Sequence, residues 1–89
     1  MENGNGEPGL LRITVKLHAT LRKYLPVGSQ ENVVPLQMPE GATVADVIIR
    51  LAIPPAHARM MVSGAEHLEP TSRLHDGQEV NLFPPLAGG

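Results

Sequence analysis

Cysteine and tryptophan are absent from this 89-residue chain, and its only aromatic residues of the Phe/Tyr/Trp kind are Tyr24 and Phe83. Without a thiol the chain cannot form disulfides, bind zinc through thiolates or use a sulfur nucleophile. Basic charge is scarce too, with seven Lys and Arg against nine Asp and Glu. Arg12, Lys16, Arg22, Lys23, Arg50, Arg59 and Arg73 are scattered along the sequence, whereas a nucleic-acid partner requires a concentrated basic face. No nucleic-acid role is therefore expected. No apolar run approaches the roughly 20 residues that cross a bilayer, and residues 1–9 have neither the positive nor the apolar region of a secretory signal. They read as an acidic, glycine-rich disordered leader. The expected compartment is the cytoplasm, with no membrane partner.

What the chain does have is aliphatic. Leu, Ile, Val and Phe supply 24 of the 89 residues, above the roughly one-fifth below which chains tend to stay disordered. The length allows one domain with a small core, expected over residues 10–85.

Leu11, Ile13, Val15 and Leu17 alternate with Arg12, Thr14, Lys16 and His18, the period of a half-buried strand. Residues 19–25 carry two cations and end at Pro26, and Gly28-Ser29 marks a turn. A second alternating stretch over 32–38 contains Pro35, which cannot donate to a ladder and so predicts an edge strand. Thr43-Val-Ala-Asp46 has capping-box spacing, with Asp in the usual Glu position. Behind it Val44, Val47, Ile48 and Leu51 share one helical face, and Pro54-Pro55 stops the helix by about Ile53. Residues 59–63 read as a short strand, Gly64 as a turn, and 66–74 as an irregular stretch broken by Pro70. Asp76-Gly77 is the last strong turn signal before an alternating strand over 79–83, which Pro84-Pro85 ends. Strands, one helix, then a return to the sheet predict an α+β fold: a β-grasp of four to five strands covered by one main helix.

After the last strand come Pro84, Pro85, Leu86, Ala87, Gly88 and Gly89. Pro84-Pro85 favours an extended conformation and offers no N–H to fold the tail back. The four residues 86–89 reach up to about 14 Å when extended. Gly-Gly has no Cβ to clash with a narrow channel, so another protein's active site can grip the α-carboxylate itself. That carboxylate is inert until its oxygen becomes a leaving group. Adenylation by ATP does this, and the acyl-adenylate can accept sulfur or an amine without any reactive side chain on the carrier. A frayed terminus is the alternative reading of the same residues.

The segment Asp76-Gly-Gln-Glu-Val-Asn-Leu-Phe-Pro-Pro-Leu-Ala-Gly-Gly89 resembles the C-terminal signature of the MoaD/ThiS family of ubiquitin-like sulfur carriers. Ala19-Thr-Leu-Arg22, Thr43-Val-Ala-Asp46 with Leu51 and Pro54, and Val62-Ser63-Gly64 are similar to further family stretches. Ser63 stands for the usual Asn, Gln78 for a common Asp, and His18 at an often aromatic position. The resemblance implies a β-grasp fold and a C-terminal thiocarboxylate on Gly89, with no catalytic residue on the carrier and no permanently bound cofactor. It implies three partners: an adenylating enzyme that uses ATP, a persulfide sulfur donor, and a large synthase subunit or a thiazole synthase. Phe83-Pro84-Pro85 looks more like the small subunit of molybdopterin synthase than the carrier of thiamine thiazole synthesis. Two rivals share the pattern: a ubiquitin-like modifier of lysines, and an interaction module with an inert tail.

Other residues favour plainer readings. His18, His57, His67 and His75 have no ligand spacing on the predicted helix and read as surface histidines, so no metal site is expected. Met60-Met61 reads as core filling. Glu66, Glu69, Asp76 and Glu79 read as solvated surface. Phe83, beside the tail, is a candidate partner anchor or else a core residue at a strand end.

Overall fold

A computed structural model describes residues 9–85. Residues 1–8 of the predicted leader and the tail Leu86, Ala87, Gly88 and Gly89 lie outside the described residues. Gly9 is tied to the sheet, its carbonyl accepting from the Glu40 N–H at 2.6 Å.

The elements run β1 (Leu10–Leu17), a 3-10 helix (Ala19–Tyr24), β2 (Val33–Pro39), α1 (Val44–Arg50), a 3-10 turn (Pro55–His57), β3 (Met60–Ser63), β4 (Glu66–Leu68) and β5 (Glu79–Phe83). One five-stranded sheet has the order β2-β1-β5-β3-β4. β1 and β5 pair in parallel at its centre, and every other pair is antiparallel. This mixed sheet with a single main helix across one face is the β-grasp.

The predicted alternation in β1 is present: Leu11, Ile13, Val15 and Leu17 are buried, and so are Val80 and Leu82 of β5. The predicted helical face, Val44, Val47, Ile48 and Leu51, packs into the same core. Among the described residues no polar or charged residue is buried. The capping box is formed. The Thr43 N–H donates to Asp46 Oδ2 at 2.9 Å, and the Asp46 N–H donates to Thr43 Oγ1 at 3.4 Å. α1 ends in a Schellman arrangement. Ile53 N–H donates to the Ile48 carbonyl at 3.1 Å and Ala52 N–H to that of Ile49 at 2.9 Å, with Ala52 left-handed at φ 60°.

β2 is an edge strand, as Pro35 predicts. Thr14, opposite Pro35, donates its N–H away from β2 to the Gln78 carbonyl at 2.9 Å. The pair is therefore one whose amides point apart, and the Pro35 nitrogen faces the open edge.

Three segments differ from the sequence reading. The stretch over 66–74 is not wholly irregular, since Glu66–Leu68 forms β4 and pairs with β3 through the two-residue loop Gly64-Ala65. Gly64 has φ 61°, the positive value a tight hairpin requires. A three-residue strand with only Leu68 buried carries too little alternation to register. Residues 19–24 form a 3-10 helix, which buries Leu21. Met60 is not core: Met61 is buried, but Met60 is 42% exposed on the opposite face.

Candidate functional site

β5 runs beside β1 in parallel, so the chain leaves the middle of the sheet where β1 also ends. The His18 N–H donates to the Leu82 carbonyl at 3.1 Å, and the Arg59 N–H donates to the Phe83 carbonyl at 3.0 Å. The last strand is thus held on both sides up to Phe83. Pro84 and Pro85 follow with no N–H to continue the ladder.

Phe83 reads from sequence as a partner anchor or a strand-end core residue, and its register takes it out of the core. Val80 and Leu82 face the helix, so Glu79, Asn81 and Phe83 lie on the other face of the sheet. There Phe83 is half-buried and stacks on His18, with ring centroids 4.3 Å apart and planes 10° from parallel. Met60 stands opposite Phe83, and Val62 opposite Asn81. No described element covers this face, so Phe83, Met60 and Val62 form its apolar part beside the root of the tail.

A polar line runs through the same face. Lys16 Nζ is 3.5 Å from Glu79 Oε2. Asn81 Nδ2 donates to Glu79 Oε2 at 3.2 Å, and Asn81 Oδ1 lies 2.8 Å from His18 Nε2. A carboxylate only accepts, which fixes the Asn81 amide and requires neutral His18 to carry its proton on Nε2. The Asn81 amide, and next the Lys16 ammonium, hold the Glu79 carboxyl below its ordinary range. At the far end of β5, Arg12 N–H donates to Asp76 Oδ1 at 2.8 Å and Gly77 N–H donates to the Arg12 carbonyl at 2.7 Å.

Pro84 and Pro85 line a shallow groove of about 240 Å³ with Thr20, Leu21, Lys23, Tyr24 and His57. Tyr24 Oη and His57 Nδ1 are 3.0 Å apart and join the two 3-10 segments beside the tail root. Lys23 Nζ sits 5.4 Å from the centre of the Tyr24 ring. Sequence reading missed both this groove and the His18–Asn81–Glu79 line. Alternation puts those side chains on one face, but only the parallel register brings β1 and β5 together.

Of the predicted site residues, the structure places Phe83 on the open face and Pro84 and Pro85 in the groove. Leu86, Ala87, Gly88 and Gly89 lie outside the described residues. His18 and His57 each have a single polar partner, while His67 and His75 are exposed. Among the described residues no three His, Cys, Asp or Glu side chains gather to hold a metal. Nor is any described helix long and apolar enough to cross a membrane.

A model of the ThiS family matches residues 15–89. No curated protein matches the chain. Among solved structures, the fold is similar to the Haloferax volcanii protein HVO 2177, with TM-score 0.69, 24% identity and coverage of 98% of this chain and 94% of that one. It is similar to Haloferax volcanii small archaeal modifier protein 1, with TM-score 0.66, 21% identity and coverage of 85% and 99%. A Pyrococcus furiosus protein provisionally assigned as molybdopterin converting factor, subunit 1, is similar at TM-score 0.64 and 22% identity, with coverage of 85% and 99%.

Proposed function

Since the chain belongs to the ThiS family, a family of small ubiquitin-like carriers, we propose that it carries sulfur on the α-carboxylate of Gly89. The observation that supports this most is the exit of the chain from the centre of the sheet. The parallel β1–β5 pair delivers Pro84-Pro85 beside the open Phe83 face, and Leu86, Ala87, Gly88 and Gly89 follow. A partner can hold the rigid sheet while the side-chain-poor tip enters its active site. Preorganisation of the root lowers the entropy lost on docking.

In the proposed cycle a carboxylate oxygen of Gly89 attacks the α-phosphorus of ATP, held by an activating enzyme, and pyrophosphate leaves. The terminal sulfur of a donor persulfide then attacks the acyl carbon, and AMP leaves with the bonding electron pair. A second thiol cleaves the resulting acyl disulfide; it is oxidised to a disulfide as the thiocarboxylate forms. A synthase partner takes up that sulfur. The chain is a co-substrate in this scheme, and its own residues orient the tail. The Phe83-Pro84-Pro85 ending and the similarity to the Pyrococcus protein favour a synthase of molybdopterin formation over a thiazole synthase. Similarity to the small archaeal modifier supports a second reading, in which a lysine amine takes the place of sulfur.

The test is adenylation. Incubated with ATP and a ThiS-family activating enzyme, the full chain should release pyrophosphate stoichiometrically, and a chain lacking Gly88 and Gly89 should release none. Equal release from both would remove Gly89 from the mechanism.

A further inference from the structure

We propose that Arg22, Lys23 and Arg59 form a cationic collar at the end of β5 that docks on an acidic surface of the activating partner. This deepens the reading that the chain is a substrate of such a partner, and rests on it.

The seven Lys and Arg residues are dispersed in sequence, and the fold sorts them. Among the described residues, two make ion pairs with carboxylates: Arg12 with Asp76 at 3.9 Å and Lys16 with Glu79 at 3.5 Å. Arg50 Nη1 lies 3.7 Å from Met38 Sδ. Arg73 is bridged to Thr43 at the start of α1. The other three are exposed and reach no carboxylate within ion-pair distance among the described residues. Arg22 and Lys23 stand in the last turn of the 3-10 helix that follows β1, and Lys23 lines the groove of Pro84 and Pro85. Arg59 stands on the other side of β5, its N–H donating to the Phe83 carbonyl at 3.0 Å.

Carboxylates are sorted the opposite way. β1 and β5 run in parallel toward the tail, and β2 and β3 run against them. Glu40 after β2, Glu66 after β3, and Asp76 and Glu79 around the start of β5 therefore lie toward the far end of the sheet. Glu69 shares a cleft with Arg59, and Glu31 precedes β2, but neither comes within ion-pair distance of the three cations. Residues 9–85 hold seven Lys and Arg and, once Glu2 and Glu7 are set aside from nine, seven Asp and Glu. The collar is thus a separation of charge within a balanced domain.

Lys23 and Arg59 border two separate hollows, so they do not converge on one point as a phosphate site requires. Charge spread over a broad front matches carboxylates spread over a protein surface. Three cations are few for a nucleic acid, and the Phe83 ring is already stacked on His18. Met60, next to Arg59, continues into the open patch with Phe83 and Val62, which gives the collar the apolar centre that a polar rim surrounds in an interface. Such a rim speeds and orients encounter.

The test is binding of the full chain to a ThiS-family activating enzyme without ATP, followed by fluorescence anisotropy at low and at physiological salt. The complex should weaken as salt rises. Lys23→Glu combined with Arg59→Glu should raise Kd about tenfold at low salt and remove most of the salt dependence. Lys23→Gln with Arg59→Gln should shift Kd the same way by less, and urea midpoints check that the variants fold. Arg73→Glu, the same change of sign at the far end, should leave Kd unchanged. With ATP added, the KM for the chain should rise in the double variants while the KM for ATP stays. No binding, salt-independent binding, equal weakening by Arg73→Glu, a raised KM for ATP, or displacement of the chain by a single-stranded oligonucleotide would each overturn the proposal. Salt-sensitive binding without pyrophosphate release would sink the carrier reading alone, and release by the double variants at the unaltered KM would sink the collar alone.

Discussion

The imidazole of His18 lies flat on the ring of Phe83, 4.3 Å between centroids, and its Nε2 is 2.8 Å from Asn81 Oδ1. The stack ties the end of β1 to the end of β5 on the open face, immediately before the prolines of the tail. The imidazole thus supplies a flat ring to the stack and a polar edge that reaches Asn81.

Facing determines the cost of truncation here. Leu82 is fully buried and Phe83 is not, although they are adjacent. Leu82→Ala should cost about 2–5 kcal/mol as a core cavity. His18→Ala should cost about 1 kcal/mol through loss of the stack. Urea unfolding of both variants checks the ranking, and an equal loss would place Phe83 and His18 in the core.

The Glu79 carboxyl should titrate below an ordinary glutamate, chiefly because it accepts from Asn81 and also because Lys16 is near. Its folded value lies below its unfolded one. The associated stability is therefore fully present above the unfolded value and is lost as pH falls through the folded value. Carbon-detected NMR titration reads the shift directly. In Glu79→Gln the acid limb of the urea midpoint should flatten, and the Asn81 and His18 side-chain signals should move.

Ala52 occupies the left-handed position after α1 at φ 60°, where a Cβ is disfavoured. Ala52→Gly should stabilise the protein by about 1 kcal/mol, with both terminal hydrogen bonds retained. A higher urea midpoint with unchanged slope is the expected result.

At the other end of the helix, Asp46 receives the Thr43 N–H at 2.9 Å. Thr43→Ala should cost about 1 kcal/mol, as N-cap removal does elsewhere. Because α1 has only seven residues, its amide protection against hydrogen exchange should fall together with the stability.

Much of this architecture was legible in local patterns. The alternation from Leu11 to Leu17, the Thr43–Asp46 box and the Val44–Leu51 face are each set by neighbours in sequence, and each is present. Pro35 marked its edge because a missing N–H can be tolerated only there. Long-range pairing was not legible. β4 exists because β3 offers it a partner, and Met60 faces outward because Met61 is the residue opposite Leu82. Ser63 and Gln78 are 15 positions apart yet bonded, Gln78 Nε2 donating to Ser63 Oγ at 3.1 Å. A shorter side chain at the end of β3 meets a longer one from the residue before β5, a complementarity that neither residue announces alone. The site divides in the same way: the Gly88-Gly89 tip and its prolines are sequence features, whereas the groove with Lys23, Tyr24 and His57 exists only in the fold.

The central claim is that Gly89 carries the sulfur, and intact mass spectrometry tests it most directly. After incubation with ATP, a ThiS-family activating enzyme, a persulfide donor and a thiol reductant, the full chain should gain the mass of one oxygen replaced by sulfur, localised to Gly89. The chain lacking Gly88 and Gly89 should be unchanged. Unmodified full-length chain after incubation with each of several such activating enzymes would contradict the account.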